Sequence, residues 1–364
     1  MSANKEPSRQ QSDQKPPSTA FRVEDQSATA PFLVRAVSVH VLKILPAGYS
    51  PNALTLTGGG FALLSALIVW QFPDDMRAGT ALGITMMLLS ALSLVIYGVF
   101  DQLDGMQARK LKTASPFGDF IDHWVDALIA NFMAVPFMVM LEVSPWQIWL
   151  MAFITALAFW SHNWETRNIN RRELPVVGGL EAIWTACVIM SLTAFFGFEI
   201  WTYQLAGVTS LNVFYWLPLA IMLWYVVKVL MRGRERRVDY LGFILVIAPV
   251  SAWLLICAPA YEPDNTFVYA SYILLGMTGA LLTGHLMRHH KLGHGYPRID
   301  LLALLGGLAI LAAGWWNIGG SSISLAEQWV VSLVLALTAA RILHQGFDTY
   351  QTIFVRRQYI KECT

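Results

Sequence analysis

Charge is what this chain has least of. Only 13% of its residues are Asp, Glu, Lys or Arg, where a soluble domain averages about 25%. With 55% hydrophobic residues and a mean hydropathy of +0.49, that deficit excludes an ordinary soluble fold. The net charge of +1 gives a nucleic-acid partner no support. Cysteine is scarce as well. Cys187, Cys257 and Cys363 are odd in number and fit no metal-site spacing, so neither a disulfide framework nor zinc is indicated. The short alternating segments of a membrane β-barrel are missing. No internal repeat is evident, and no segment reads as a soluble domain able to fold alone. The first apolar run starts only after residue 30, behind a polar stretch, so no cleavable signal peptide is expected. What is left is an all-α, polytopic integral membrane protein.

Residues 1–28, rich in Ser, Gln, Lys, Asp and Pro, read as a disordered polar tail. Residues 29–48 mix apolar groups with Arg35, His40 and Lys43 and read as an amphipathic helix lying in the membrane interface. Ten apolar stretches follow, each of about 20 residues, the length that crosses a bilayer. They cover 52–72, 79–100, 119–141, 145–163, 175–197, 212–230, 239–258, 267–287, 300–317 and 328–346. With a cytosolic N-terminus, 24 of the 25 Lys and Arg, all but Arg77, fall on the cytosolic side. Asp74, Asp75, Glu142, Glu199, Glu262, Asp264 and Glu327 fall on the other. That sorting obeys the positive-inside rule and supports both the count and the orientation. Residues 49–200 hold the chemistry, 201–347 are C-terminal spans, and 348–364 form a cytosolic tail. The basic loop Arg232–Arg237 reads as an anchor near anionic lipid.

Against this background five aspartates crowd into one stretch: Asp101, Asp104, Asp119, Asp122 and Asp126. Asp119 reads as a solvated loop acid. The other four follow a fixed spacing, Asp101-x2-Asp104-Gly105-x2-Ala108-Arg109-x8-Gly118-x3-Asp122-x3-Asp126. On helices, the first pair lies at i, i+3 on one face and the second at i, i+4 on another. If the helices are neighbours, the faces converge. Four carboxylates there repel unless cations sit between them. Hard oxygen ligands suit Mg²⁺ or Mn²⁺, and two such ions can clamp a phosphoryl group in transfer.

This spacing resembles, position for position, the signature of the CDP-alcohol phosphatidyltransferase family. The letters DGMQARKLKTASPFGDFIDHWVD resemble its choline/ethanolamine phosphotransferase branch. The resemblance implies ten spans and an enzyme that moves a phospho-alcohol from a CDP-alcohol to diacylglycerol, releasing CMP. Asp101, Asp104, Asp122 and Asp126 would hold two Mg²⁺ (or Mn²⁺) ions. Gly105, Ala108 and Gly118 would let the nucleotide approach the backbone, and Arg109 would pair with a phosphate. SPNALTLTG at 50–58 resembles the family's entry to the first span; Asn52 and Thr55 would touch the nucleotide there, although Asn52 also suits a helix cap.

The acceptor alcohol needs a base. His123, directly after Asp122, resembles the histidine of the branch's Phe-Asp-His segment, with Ile121 in place of Phe. Glu181, inside the expected fifth span, is the other candidate, acting alone or through a bond to His123; Asp126 is a third. Glu165 stands where the branch has Gln, and Leu180 where it has Thr. Tyr97, Trp124, Trp160 and Trp164 could offer an aromatic face to a quaternary ammonium group, though tryptophans at this density first suggest an interface belt. His285, His289, His290 and His294 read as a basic loop rather than a metal site.

The resemblance also implies membrane lipid as a partner and leaves a homodimer open, and the sorting of Lys and Arg puts the active site toward the cytosol. The compartment would be the endoplasmic reticulum or Golgi in a eukaryote, or the inner membrane in a bacterium. Two other readings compete. One is a CDP-diacylglycerol-dependent transferase acting on a small polyol. The other is a polytopic transporter or lipid-binding scaffold, which gives no reason for Gly105, Ala108, Arg109 and Gly118 at these gaps.

Overall fold

In the computed structural model, the residues described are 22–25, 29–46, 48–169, 171–174, 178–205, 207–233, 238–261, 266–293, 299–318, 320 and 322–355. Strand β1 (Arg22–Asp25) precedes α1 (Ala30–Leu33) and α2 (Val39–Ile44), which a π-turn joins through Val34–Ser38. Then come α3 (Pro51–Gln71), the short α4 (Pro73–Ala78), α5 (Ala81–Leu111), α6 (Pro116–Met140) and α7 (Pro145–Ile169). Strand β2 (Arg171–Leu174) and α8 (Gly179–Phe196) lead to the ribbon β3 (Gln204–Leu205) and β4 (Val208–Thr209). The chain ends in α9 (Ser210–Arg232), α10 (Val238–Ile256), α11 (Thr266–Leu292), α12 (Leu301–Trp316) and α13 (Leu325–Tyr350).

The helix starts follow from local sequence. Ser50, Thr80, Ser115, Thr209, Asp300 and Ser324 each cap the helix that follows, the side chain accepting a backbone N–H three residues on. Pro51 and Pro116 stand in the first turn, where a missing N–H costs nothing. Ten helices, α3 and α5–α13, occupy the ten expected places. Eight of them are long and apolar enough to cross a membrane. Helix α12 is short at 16 residues. Helix α7, the other exception, ends in a polar run, Ser161, His162, Asn163, Glu165 and Thr166, turned largely into the protein.

Three departures from the sequence reading stand out in the fold. Helix α5 does not stop at residue 100 but runs on to Leu111. No residue after Asp101 breaks it until Lys112 turns left-handed at φ 56° and returns its N–H to the carbonyls of Ala108 and Arg109. Residues 22–25, assigned to the polar tail, pair in parallel with β2, Arg22 opposite Arg171 and Asp25 opposite Leu174. The rest of residues 1–28, the loop 234–237, His294 and the chain after Val355 lie outside the described residues. Third, Trp124, Trp160 and Trp164 do not form a belt. They are 8%, 0% and 0% exposed, with Trp160 edge-on to Tyr240 and Trp124 donating to Gln345 Oε1 at 3.1 Å. Trp164 donates in the same way to Asp239 Oδ2 at 3.0 Å, and the large faces of all three are used between helices.

Helix α3 packs against both α5 and α6, α8 lies on α5, and α9 lies on α7. Helix α11 touches α6, α7, α10 and α13, and 78% of its apolar stretch is buried within the protein, against 22% for the segment containing α13. Its glycines permit this. A Cβ on Gly279 would come within 2.5 Å of Ala156 Cβ, and one on Gly276 within 2.4 Å of Asn131 Cβ, so only glycine lets the backbones meet. The N-terminal helix is seated by Leu33, which joins Leu54, Val99, Leu103 and Leu180, while Phe32 and Ile44 stay exposed.

Candidate active site

Because α5 overruns its expected end, Asp101 and Asp104 lie inside the helix rather than at its edge. Asp122 and Asp126 lie in the first half of α6, and α3 flanks both helices. The four carboxylates lie near enough to act on one another's charge. Asp122 is the charge neighbour of Asp101 and of Asp104, and Asp126 neighbours the other three. Thr55 Oγ1 of α3 donates to Asp104 Oδ2 at 2.5 Å. Tyr97 Oη of α5 donates to Asp126 Oδ1 at 2.7 Å, and Gln102 Nε2 to Asp101 Oδ2 at 3.3 Å. His123 Nδ1 lies 3.1 Å from Asp122 Oδ2, and neither ring nitrogen makes a hydrogen bond among the described residues.

The donor set fits a hard cation. Asp122, His123 and Asp126 each bring one ligand atom to within 4.8 Å of the others. No Lys or Arg among the described residues pairs with any of the four aspartates. Neutral hydroxyls and an amide orient the carboxylates but cannot cancel their charge. Like charges held this way call for a divalent ion.

Around this cluster the other expected residues fall unevenly. Asn52 Oδ1 stands 3.4 Å from where a Cβ on Gly118 would lie, so the two adjoin at the mouth of α3 and α6. Gly105 lies under the Arg109 guanidinium, whose Nη1 would be 3.3 Å from a Cβ at Gly105. Ala108 is half-buried, and Arg109 is exposed on the last turns of α5. Glu181 is not deep in its span. It sits in the first turn of α8, where Oε2 accepts the Gly178 N–H at 2.8 Å and Oε1 accepts both the N–H (3.1 Å) and hydroxyl (2.9 Å) of Thr29. It therefore ties the N-terminal helix to α8. Asp119 is no free loop acid either, since Lys291 of α11 pairs with it. Lys110 donates to the Leu42 carbonyl at 2.9 Å and so braces the N-terminal helix.

Residues 49–224 match the family model of CDP-alcohol phosphatidyltransferases. The chain carries a CDP-alcohol phosphatidyltransferase domain. Choline/ethanolaminephosphotransferase 1 of Arabidopsis thaliana is 30% identical over 195 residues, covering 53% of this chain and 49% of that protein. Choline/ethanolaminephosphotransferase 1 of Saccharomyces cerevisiae is 22% identical over 339 residues, 85% of this chain and 86% of that one. Cholinephosphotransferase 1 of Homo sapiens is 28% identical over 167 residues, 45% and 41% of the two chains. The matched part thus spans about half, or less, of the plant and human relatives. Asp101, Asp104, Asp122, Asp126, His123 and Glu181 all lie inside the matched residues 49–224.

Two residues take a part that the sequence reading did not give them. Thr55, expected at the nucleotide, donates to an aspartate. Tyr97 is four residues before Asp101, so helical spacing alone places it on the aspartate face. A third group, His162 with Tyr225, Glu165 and Arg232, carried no signal because it joins α7 to α9 across about 65 residues of sequence.

Proposed function

We propose that this membrane protein transfers a phospho-alcohol, phosphocholine or phosphoethanolamine, from its CDP derivative to diacylglycerol. The products are CMP and a phospholipid. One observation carries the reading: four carboxylates of a phosphatidyltransferase domain converge with no Lys or Arg among the described residues to neutralise them.

Asp101, Asp104, Asp122 and Asp126 would hold Mg²⁺, two ions in this reading, with Thr55 and Tyr97 fixing the carboxylates. When bound, the ions neutralise charge on the pyrophosphate and on the group in transfer. Gly118 and Asn52 face the nucleotide, and Gly105 and Ala108 keep the backbone of α5 open to it. Arg109 supplies a mobile cation to a phosphate. His123 takes the proton from the acceptor hydroxyl. The oxygen then bonds the distal phosphorus, and the bond from that phosphorus to CMP breaks. Asp126 is left to the ions, and Glu181 acts by holding the N-terminal helix over the end of α8. The sorting of Lys and Arg in the sequence supports a cytosolic active site, where CDP-linked substrates are water-soluble.

Purified protein with Mg²⁺ is expected to make phospholipid from CDP-choline or CDP-ethanolamine plus diacylglycerol. Product from CDP-diacylglycerol with inositol, serine or glycerol phosphate, and none from the first pair, would overturn the assignment in favour of a polyol transferase. CMP formed from neither pair would favour a transporter or scaffold.

A further inference from the structure

His123 has no hydrogen bond among the described residues to fix its ring, yet a base must meet its proton within a narrow geometry. Its aromatic neighbour is His162 of α7, with ring centres 6.2 Å apart and planes tilted by 54°. His162 is itself held. Its Nδ1 lies 3.1 Å from the Tyr225 hydroxyl. That hydroxyl donates to Glu165 Oε2 at 3.4 Å, which leaves its oxygen to accept from His162 Nδ1–H. Glu165 Oε1 accepts from Arg232 Nη1 at 2.9 Å. Glu165 is fully buried at 0% exposure, and Tyr225 is 6% exposed. A buried carboxylate is costly unless it is paired, and a buried pair adds little stability over apolar side chains of the same size. Stability therefore does not explain this chain of contacts. It runs from the last residue of α9 to the face of the candidate base, and both Tyr225 and Arg232 lie beyond the family-matched residues 49–224.

We infer that His162 is a positioning residue for His123, and that the Arg232–Glu165–Tyr225 chain sets the ring of His162. This rests on the proposed transfer to a lipid hydroxyl. His162 touches no substrate in this account. It limits the directions the His123 ring can take, so the contribution falls on turnover and not on binding.

The test compares wild type, His162→Ala, His162→Asn, His123→Ala and the double variant His123→Ala/His162→Ala, reading kcat and KM with CDP-choline and diacylglycerol. His162→Ala is expected to lower kcat roughly ten- to hundredfold with both KM values within about twofold. His162→Asn should recover most of the loss, because its amide N–H replaces the donation to Tyr225. In the His123→Ala background, His162→Ala should cost nothing further, since residues that act through one another are not additive. An unchanged kcat in His162→Ala, or a full additional loss in the double variant, overturns the inference. Should His162→Ala not fold, Tyr225→Phe keeps the ring and removes the hydroxyl; unchanged kcat there overturns the inference equally. A wild type that makes no phospholipid would instead overturn the proposed function.

Discussion

Tyr97 and Asp126 sit on adjacent helices and share one hydrogen bond, the phenol donating to Oδ1 at 2.7 Å. The bond holds one oxygen of a carboxylate that feels the charge of the other three aspartates. Tyr97→Phe keeps the ring and removes only that constraint. It is expected to raise the Mg²⁺ concentration for half-maximal activity by about tenfold, the lower end for loss of a group that orients a metal ligand. A Mg²⁺ titration of CMP release reads this directly; an unchanged midpoint would mean that Asp126 is oriented without Tyr97.

Asp104→Ala and Asp122→Ala each remove one of four crowded carboxylates. Turnover should vanish in both. Folded yield and the thermal midpoint without added metal should hold or rise, because like charges are thinned. Size-exclusion profiles and a melt in detergent check the fold; substantial CMP formation would count against metal ions held by these acids.

Glu327 shows the opposite case, a buried acid used for structure. At 1% exposure it accepts from Trp253 Nε1, the Tyr261 hydroxyl, Asn317 Nδ2 and the Ser324 N–H and hydroxyl. Glu327→Ala strands those donors, at about 1–3 kcal/mol for each left unsatisfied. A fall of several degrees in the melt is expected, with activity per folded molecule unchanged. Loss of activity at full stability would place Glu327 in the chemistry instead.

Asp300 supplies a dependence on pH. Burial by itself pushes its carboxyl up, but hydrogen bonds from His285, Arg341 and the Ala303 N–H override this and hold it well below the usual carboxylate range. A depressed folded value means stability that is complete above the unfolded value of about 3.9 and lost as the pH falls below it. The melting temperature of wild type should therefore drop below about pH 4, and Asp300→Asn should be less stable near neutrality with a shallower acid slope. Parallel slopes for the two proteins would rule the contribution out.

Orientation can be read with introduced cysteines. Thr113, between α5 and α6, and Glu199, after α8, are both exposed. In a Cys363→Ser background, Glu199→Cys should react with an impermeant maleimide from outside intact cells and Thr113→Cys only after permeabilisation. Labelling of Thr113→Cys from outside would invert the orientation.

The helices were legible because apolar runs and Ser, Thr or Asp caps are local signals. The aspartate site was legible because its spacing maps onto two helix faces. What did not show was each partner distant in sequence. Trp124 meets Gln345, and His162 meets Tyr225, through helix neighbours that no periodicity reveals. Glu181 was misplaced for a related reason. Hydropathy put its span's start at 175, whereas α8 begins at Gly179 and makes Glu181 a first-turn cap instead of a mid-membrane acid. Polar residues at the ends of α5 and α7 likewise hid how far those helices extend.

The central place of α11 has a consequence for synthesis. Helices α6 and α7 leave the ribosome well ahead of residues 266–292, yet their glycine-fitted partner surfaces are on that later helix. Until it arrives, Asn131 and Ala156 line an open seam. The family-matched segment ending at residue 224 is therefore no excisable module: expressed alone, it should insert but stay unassembled and be cleared by membrane proteases. Supplying residues 225–364 as a separate chain should restore it.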